Sequence, residues 1–305
     1  MIKKTTLMML LSLLILTLTA CSQRTTLKIM VPSGSPALSQ IYIQENTDEY
    51  EVDIVNGADP LVAAFASNSH DIIFAPTNLG AKLYQSGMDY LFAGTVVWGN
   101  YYLIAKGKIT FDMEHLQNQN IVVFGQNQTS DIILKYLLEE SLVTATITYV
   151  DSVATATAMF MADPSLIVMV AEPSLSSVES KVADLQIIDL QNVYETVTGE
   201  DSYPQAGVFV SKALSKTQVN LFLRDLKRSV EQINDDPETA GITGETLEIG
   251  FTAAIITAAI PTSHLDYRSA IDSKDALEAY FQLILERNAA LIGGALPDES
   301  FYYRP

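Results

Sequence analysis

Apolar and polar positions along the chain repeat one unit: a short β-branched run, a polar loop carrying Pro, Gly or Asn, then a stretch with helical spacing. That alternation predicts α/β layers with largely parallel strands. A strand over 27–31 leads into Ser33-Gly34-Ser35-Pro36, which supplies a loop, an N-cap and a proline at the first position of a helix running to about 45. A strand over 51–55 is followed by Asn56-Gly57-Ala58-Asp59-Pro60, where Asp59 caps and Pro60 opens the next helix. A third strand, 71–75, meets Pro76-Thr77-Asn78 and a helix over 79–85, with Gly87 as its stop. From 90 to 106 the chain is strand-rich, and the break at Trp98-Gly99-Asn100 marks the approach to a hinge.

A second set of units restates the first. A strand over 121–124 enters the loop Gly125-Gln126-Asn127-Gln128-Thr129-Ser130 and a helix over 131–142. Then come a strand over 146–150, a helix over 153–161, a strand over 166–170 ending in Ala171-Glu172-Pro173, and a short strand over 185–190. Tyr203-Pro204-Gln205-Ala206-Gly207 precedes a run over 208–211 that we take as the return crossing. Helices are predicted over 216–234, 245–259 and 274–288. No charge block or low-complexity linker divides the chain, so the boundary between halves is a strand crossing, not a flexible tether.

Before the first unit lies an apolar run over 7–19, preceded by Lys3 and Lys4 and closed by Leu18-Thr19-Ala20-Cys21. The ending resembles a bacterial lipobox, with a small residue before the cysteine, as signal-peptide cleavage demands. The run is shorter than the roughly 20 residues a spanning helix needs. The resemblance implies a lipoprotein signal peptide over 1–20 and a tether over 21–26, with Cys21 as the lipidated N-terminus carrying acyl chains such as palmitate. Cys21 is the only cysteine of 305 residues, so lipidation leaves none for a disulfide. The longest further apolar run, 251–260, ends at Pro261. The expectation is a protein on the extracytoplasmic face of the cell membrane, held by lipid alone.

Composition narrows the function. With 48% hydrophobic residues the chain fills the cores of two ordinary domains. A net charge of −18, more negative once the two signal lysines are gone, repels nucleic acid and anionic lipid. Catalytic chemistry has little to work with. The three histidines, His70, His115 and His264, do not pair at metal-ligand spacing, and no nucleophile elbow, dinucleotide fingerprint or phosphate-binding loop appears. No enzyme activity, cofactor or metal is expected. Asp71, Asp151 and Glu172 are the acids that an acid pair would draw on, but nothing in their spacing brings them together.

The segments Val31-Pro32-Ser33-Gly34-Ser35-Pro36, Gly57-Ala58-Asp59-Pro60 and Ser69-His70-Asp71-Ile72-Ile73-Phe74-Ala75-Pro76-Thr77-Asn78, with Ala171-Glu172-Pro173 and Tyr203-Pro204-Gln205, carry a further resemblance. In order and spacing the chain resembles the substrate-binding lipoproteins of ABC importers, in the cluster that includes nitrate, sulfonate and thiamine-precursor binders. The resemblance implies a type II periplasmic-binding fold: two α/β lobes joined by two crossing strands, with a helical C-terminal segment. It gives lobe one residues 27–105 plus 207–305 and lobe two residues 106–206. It also implies a monomer that takes a small solute between the lobes and hands it to an ABC permease and its ATPase.

In open α/β sheets, ligands sit beyond the carboxyl ends of the strands. That rule nominates Ser33, Ser35, Asp59, Thr77 and Asn78 on one rim and Gln126, Asn127 and Thr129 on the other. Ser35, Asp59 and Thr129, taken singly, serve equally well as helix caps. Trp98, the only tryptophan, offers a stacking face beside Asn100, or else packs the seam between lobes. Glu172 and Tyr203 fall at lobe-two loop tips if the resemblance holds, and Glu172 there accepts hydrogen bonds from an amine or amidine-like ring, or else is a solvated acid. None of these loops contains Lys or Arg, so the expected solute is a neutral or weakly cationic heterocycle, not an oxyanion. Two alternatives stand beside transport: an enzyme on the same scaffold, and a surface sensor or adhesin uncoupled from uptake.

Overall fold

The repeated units assemble into two sheets. The structure is a computed structural model and describes residues 26–107 and 111–305. The signal segment and Cys21 lie outside the described residues. The first sheet is built from β1 (Leu27–Pro32), β2 (Tyr50–Val55), β3 (Ile72–Pro76), β4 (Tyr90–Trp98), β10 (Pro204–Ser211) and β11 (Leu265–Ser269). The second takes β5 (Tyr102–Lys106), β6 (Asn120–Phe124), β7 (Thr146–Val150), β8 (Ile167–Val170) and β9 (Leu185–Asp189).

The two sheets share one plan. In the first, β1 lies parallel between β2 and β3, and β10 runs antiparallel between β3 and β4. In the second, β6 lies parallel between β7 and β8, and β5 runs antiparallel between β8 and β9. Each antiparallel strand is the one that has just crossed from the other half of the chain. The fold is therefore two-lobed, with two crossings, as the type II arrangement requires. The chain changes sheet at residues 99–101, before β5, and returns just before Pro204, so 102–106 pair in the second sheet and 204–206 in the first. The expected switch points, after 105 and after 206, lie a few residues beyond these crossings.

Gly99 and Asn100 make the first crossing possible. Both have left-handed backbones, at φ of 82° and 87°. A Cβ on Gly99 would lie 2.3 Å from the Gln191 side chain, so only glycine passes there. The Gly99 amide donates to the Tyr203 carbonyl at 2.9 Å, tying the two crossings together.

The helices, α1 (Ser35–Leu38), α2 (Ile41–Gln44), α3 (Asp59–Ser67), α4 (Thr77–Gln85), α5 (Thr129–Glu140), α6 (Val153–Ala162), α7 (Ser174–Glu179), α8 (Leu190–Thr198), α9 (Lys216–Asp235), α10 (Pro237–Thr246), α11 (Ala253–Ala259) and α12 (Lys274–Asn288), cover the sheet faces. One core runs through both lobes, from Phe92, Phe209 and Phe301 to Leu103, Val123 and Met169, and each sheet has a further core on its other face. Each such side chain contributes about 1.5–3 kcal/mol of burial.

Several elements depart from the sequence expectation for local reasons. The first helix is broken into α1 and α2. The helix expected over 245–259 is split, because Glu248 and Gly250 turn left-handed at φ of 56° and 101°. Ahead of that break, Asp236 caps α10 by accepting from the Thr239 amide. Helix α8 was unforeseen: Asp189 ends β9 and caps α8 at once, accepting from the Gln191 and Asn192 amides. Strand β11 was also missed. Among the described residues no helix is long and apolar enough to cross a membrane.

Candidate functional site: the cleft between the lobes

The carboxyl ends of β1, β2, β3, β6, β7 and β8 all open onto one cavity of about 670 Å³ between the sheets. That volume lies within the range of small-molecule sites. Lobe one supplies the loops after β1 and β2, with Ser33, Ser35 and Asp59; lobe two supplies Phe124, Gln126 and Gln128 after β6 and Tyr149, Asp151 and Ser152 after β7. The crossings contribute Asn100, Tyr101 and Gln205 to the floor, and Glu172 stands at the end of β8. The lobes approach closely at the rim, where a Cβ on Gly57 would lie 3.7 Å from the Asp151 carbonyl.

Of the residues nominated from sequence, Ser33, Ser35, Asp59, Asn100, Gln126 and Glu172 line this cavity. Thr77, Asn78, Trp98, Asn127, Thr129 and Tyr203 are not in the lining, and each has a physical reason. The Thr77 hydroxyl donates to the Pro204 carbonyl at 2.6 Å, and the Asn78 amide donates to the carbonyls of Asn127 at 3.1 Å and Leu291 at 3.3 Å. Thr129 donates to the Gln205 carbonyl and to Asn78 Oδ1, both at 3.4 Å. Trp98 packs under the Arg268 guanidinium, 4.0 Å from its ring, while its Nε1 donates to the Asp266 carbonyl. Tyr203 is fully buried, its ring stacked near Tyr101 and its hydroxyl donating to Gln191 Oε1 at 2.9 Å. Thr129 and Tyr203 thus hold Gln205 and Tyr101 from behind.

The polar residues that do line the cleft have distinct roles. Ser35 and Asp59, like Thr129 behind the lining, sit at the first turn of their helices without capping them through the side chain. Ser35 Oγ instead accepts from Asn100 Nδ2 at 2.7 Å and donates to the Glu172 carbonyl at 3.3 Å. Asn100 Oδ1 accepts from the Glu172 amide at 2.8 Å. One left-handed asparagine therefore ties the loop after β1 to the loop after β8. The Glu172 carboxylate points away from solvent. It accepts from the Ser176 amide and hydroxyl, each at 3.0 Å, and from the Thr262 hydroxyl at 2.7 Å. It is neither a solvated acid nor a free ligand acceptor, but a bond between the second sheet's α7 and the segment before β11. Burial pushes its pKa above the ordinary carboxyl value, and the Ser176 and Thr262 hydrogen bonds oppose that shift.

The lobe-two loop is built from behind by Asp131. Its carboxylate, 1% exposed, accepts from the Asn127 amide at 2.8 Å, Tyr149 Oη at 2.7 Å and Lys135 Nζ at 2.9 Å. Gly125 and Asn127 take left-handed turns, and a Cβ on Gly125 would meet Ser130 Oγ at 2.6 Å. These constraints present Gln126, Gln128 and the Tyr149 ring to the cavity.

Electrostatically the cleft is one-sided. Its lining holds Asp59, Asp151 and Glu172 and no Lys or Arg. Of the helix starts that face it, two have side-chain acceptors, Ser152 on the Thr155 amide of α6 and Glu172 on the Ser176 amide of α7, while α3 and α5 carry Asp59 and Asp131 in their first turns. An anion has no cation to pair with there, and the carboxylates of Asp59 and Asp131 in the first turns of α3 and α5 oppose it. Two acceptors, by contrast, are left over. Gln205 Oε1 and Gln128 Oε1 are buried and have no hydrogen-bond partner. Among the described residues no group of three His, Cys, Asp or Glu side chains could hold a metal ion.

Sequence reasoning did not nominate Tyr101, Tyr149 and Gln205 as lining residues, and reached Gln128 only as part of the loop 125–130. Tyr149 and Asp151 were within reach of the strand-end rule, applied to 146–150. Gln205 was not, because the pairing of β10 with β4 shifts register at Ala206, beside the crossing, and strict alternation fails there.

Comparison with known proteins agrees with this geometry. Residues 101–248 match the family model described as menaquinone biosynthesis. No protein of curated function matches the chain. Among solved structures, an ABC transporter protein from Parabacteroides distasonis shares 25% identity at a TM-score of 0.80, over 92% of this chain and 99% of that one. The ligand-binding component of an ABC-type import system from Staphylococcus aureus, with zinc bound, shares 14% at 0.71, over 92% and 97%. An alkanesulfonate-binding protein from Xanthomonas axonopodis pv. citri, bound to MOPS, shares 17% at 0.66, over 91% and 96%. The chain shares the two-lobed fold of these solved binding proteins, with the cavity between its lobes.

Proposed function

We propose that this protein is an extracytoplasmic solute-binding lipoprotein. It captures a small, neutral or weakly cationic heterocycle between lobes 27–105 plus 207–305 and 106–206, adjusted at the crossings as above, and presents it to an ABC permease. One observation carries the solute class: the cleft is lined by aromatic rings and carboxylates with no cationic side chain, and two of its lining residues, Gln128 and Gln205, keep a buried amide oxygen without a partner. Rings of Tyr101, Phe124 and Tyr149 supply the apolar walls such a solute stacks on. Closure is driven only by the differential affinity of the solute for the closed form. The test is a thermal-shift panel of pyrimidines, thiamine precursors, amines and sulfonates, since a bound ligand raises stability by RT ln(1 + [L]/Kd). Shifts with the heterocycles and not with the sulfonates are expected; a shift with sulfonates alone overturns the solute class. Lipid on Cys21 is tested with Cys21→Ser, which should release the protein from membranes.

The family-model match over 101–248 favours a second reading, an enzyme on the same scaffold. Under it, a bound compound is converted on incubation with the purified protein; under transport, it is recovered unchanged.

A further inference from the structure

We infer that Gln205, seconded by Gln128, sets the specificity of the cleft by demanding N–H donors from an uncharged planar ring. This rests on the cleft being a solute site, and it goes further by naming the solute's hydrogen-bonding character and the residues that read it. Gln205 is 8% exposed and stands on the cleft floor at the start of β10. Its main-chain carbonyl is fixed by Thr129. Its side-chain Oε1 is buried and has no hydrogen-bond partner. A buried acceptor without a donor is costly, and buried polar groups in native proteins are almost always satisfied. Gln128 Oε1 is a second such oxygen, in the opposite lobe. Both are acceptors, so the complementary molecule brings donors to both lobes at once. Rings carrying amino or amide N–H groups meet that demand, and the faces of Tyr101 and Phe124 fit their planarity. Carboxylates, sulfonates and nitrate bring only acceptors.

The test measures binding of adenine, cytosine and uracil, beside N6,N6-dimethyladenine, N4,N4-dimethylcytosine and 1,3-dimethyluracil, by isothermal titration calorimetry. At least one unsubstituted base binds, and its N-methylated counterpart binds roughly tenfold or more weakly. Gln205→Met weakens that base by a similar factor, whereas Gln205→Glu, which keeps an acceptor, retains it. Gln128→Met, at a less buried position, repeats the loss without relying on the fold of the Gln205 variant. The inference is overturned if no base binds, if the methylated bases bind as well, or if both Met variants bind like the parent chain. Failure of the inference is separable from failure of the solute reading: a neutral solute without N–H groups, found bound in protein from its own host, defeats only the inference, while a bound anion defeats both.

Discussion

Two strand-to-helix turns built from similar residues have opposite fates in this molecule. After β3 come Pro76, Thr77 and Asn78; after β6 come Gly125, Gln126, Asn127 and Gln128. Each follows an apolar strand, offers amide or hydroxyl side chains and opens a helix. Thr77 and Asn78 are sealed, at 0% and 2% exposure, because β10 and the lobe-two loop pass directly over them. Gln126 and Gln128 face the cavity, because Asp131 secures their loop from below. A polar residue at a strand's carboxyl end therefore becomes either mortar between lobes or part of the ligand site, and the element lying above it decides which.

The comparison breaks most sharply at Asp131. Asp131→Ala strips the acceptor from the Asn127 amide, Tyr149 and Lys135. With hydrogen bonds to a charged acceptor contributing about 1.5–3 kcal/mol each, a loss on the order of 3 kcal/mol is expected in urea denaturation. The loop should then also lose protection from hydrogen exchange. Asn78→Leu attacks the sealed turn instead. It leaves the Asn127 and Leu291 carbonyls unpaired, at about 1–3 kcal/mol, and should leave every cavity-lining side chain in place.

Asn100→Gly separates a backbone need from a side-chain bond. Glycine accepts φ of 87° without strain, but the link from Ser35 to the Glu172 amide is lost. A destabilisation of about 1–2 kcal/mol is expected, with a more open solution envelope by small-angle scattering. The smallest effect is at Glu172→Gln. Because burial raises the folded pKa of Glu172, its proton is held more tightly folded than unfolded. Stability from this group is therefore present below the unfolded carboxyl pKa and falls as pH rises through the folded one. The glutamine variant, which still accepts from Ser176 or Thr262, should flatten that slope. Denaturation midpoints across pH 3 to 8 that are unchanged by the substitution would contradict the assigned burial.

The halves of the fold were legible because binary patterning repeats. Strand, breaker and helix recur in both lobes, and the antiparallel insertions β5 and β10 replace a strand without disturbing the pattern. Of the five positions expected on the lobe-one rim, Ser33, Ser35 and Asp59 follow strands whose ends open onto the cavity, whereas Thr77 and Asn78 are covered by β10 and the lobe-two loop. Trp98 and Tyr203 were illegible because the crossings turn on φ at Gly99 and Asn100, and rings on either side of a left-handed turn carry no periodicity. Glu172 was visible as a position but not as a role, since Thr262, its partner, is 90 residues distant.

The central claim, that the cleft selects an uncharged or weakly cationic donor-bearing solute, is tested most directly by native mass spectrometry of protein purified from its own host. The predicted result is a small mass adduct that is released on denaturation, identified as a neutral or weakly cationic N–H heterocycle, and diminished in Gln205→Met. An adduct identified as a sulfonate, nitrate or other anion contradicts it.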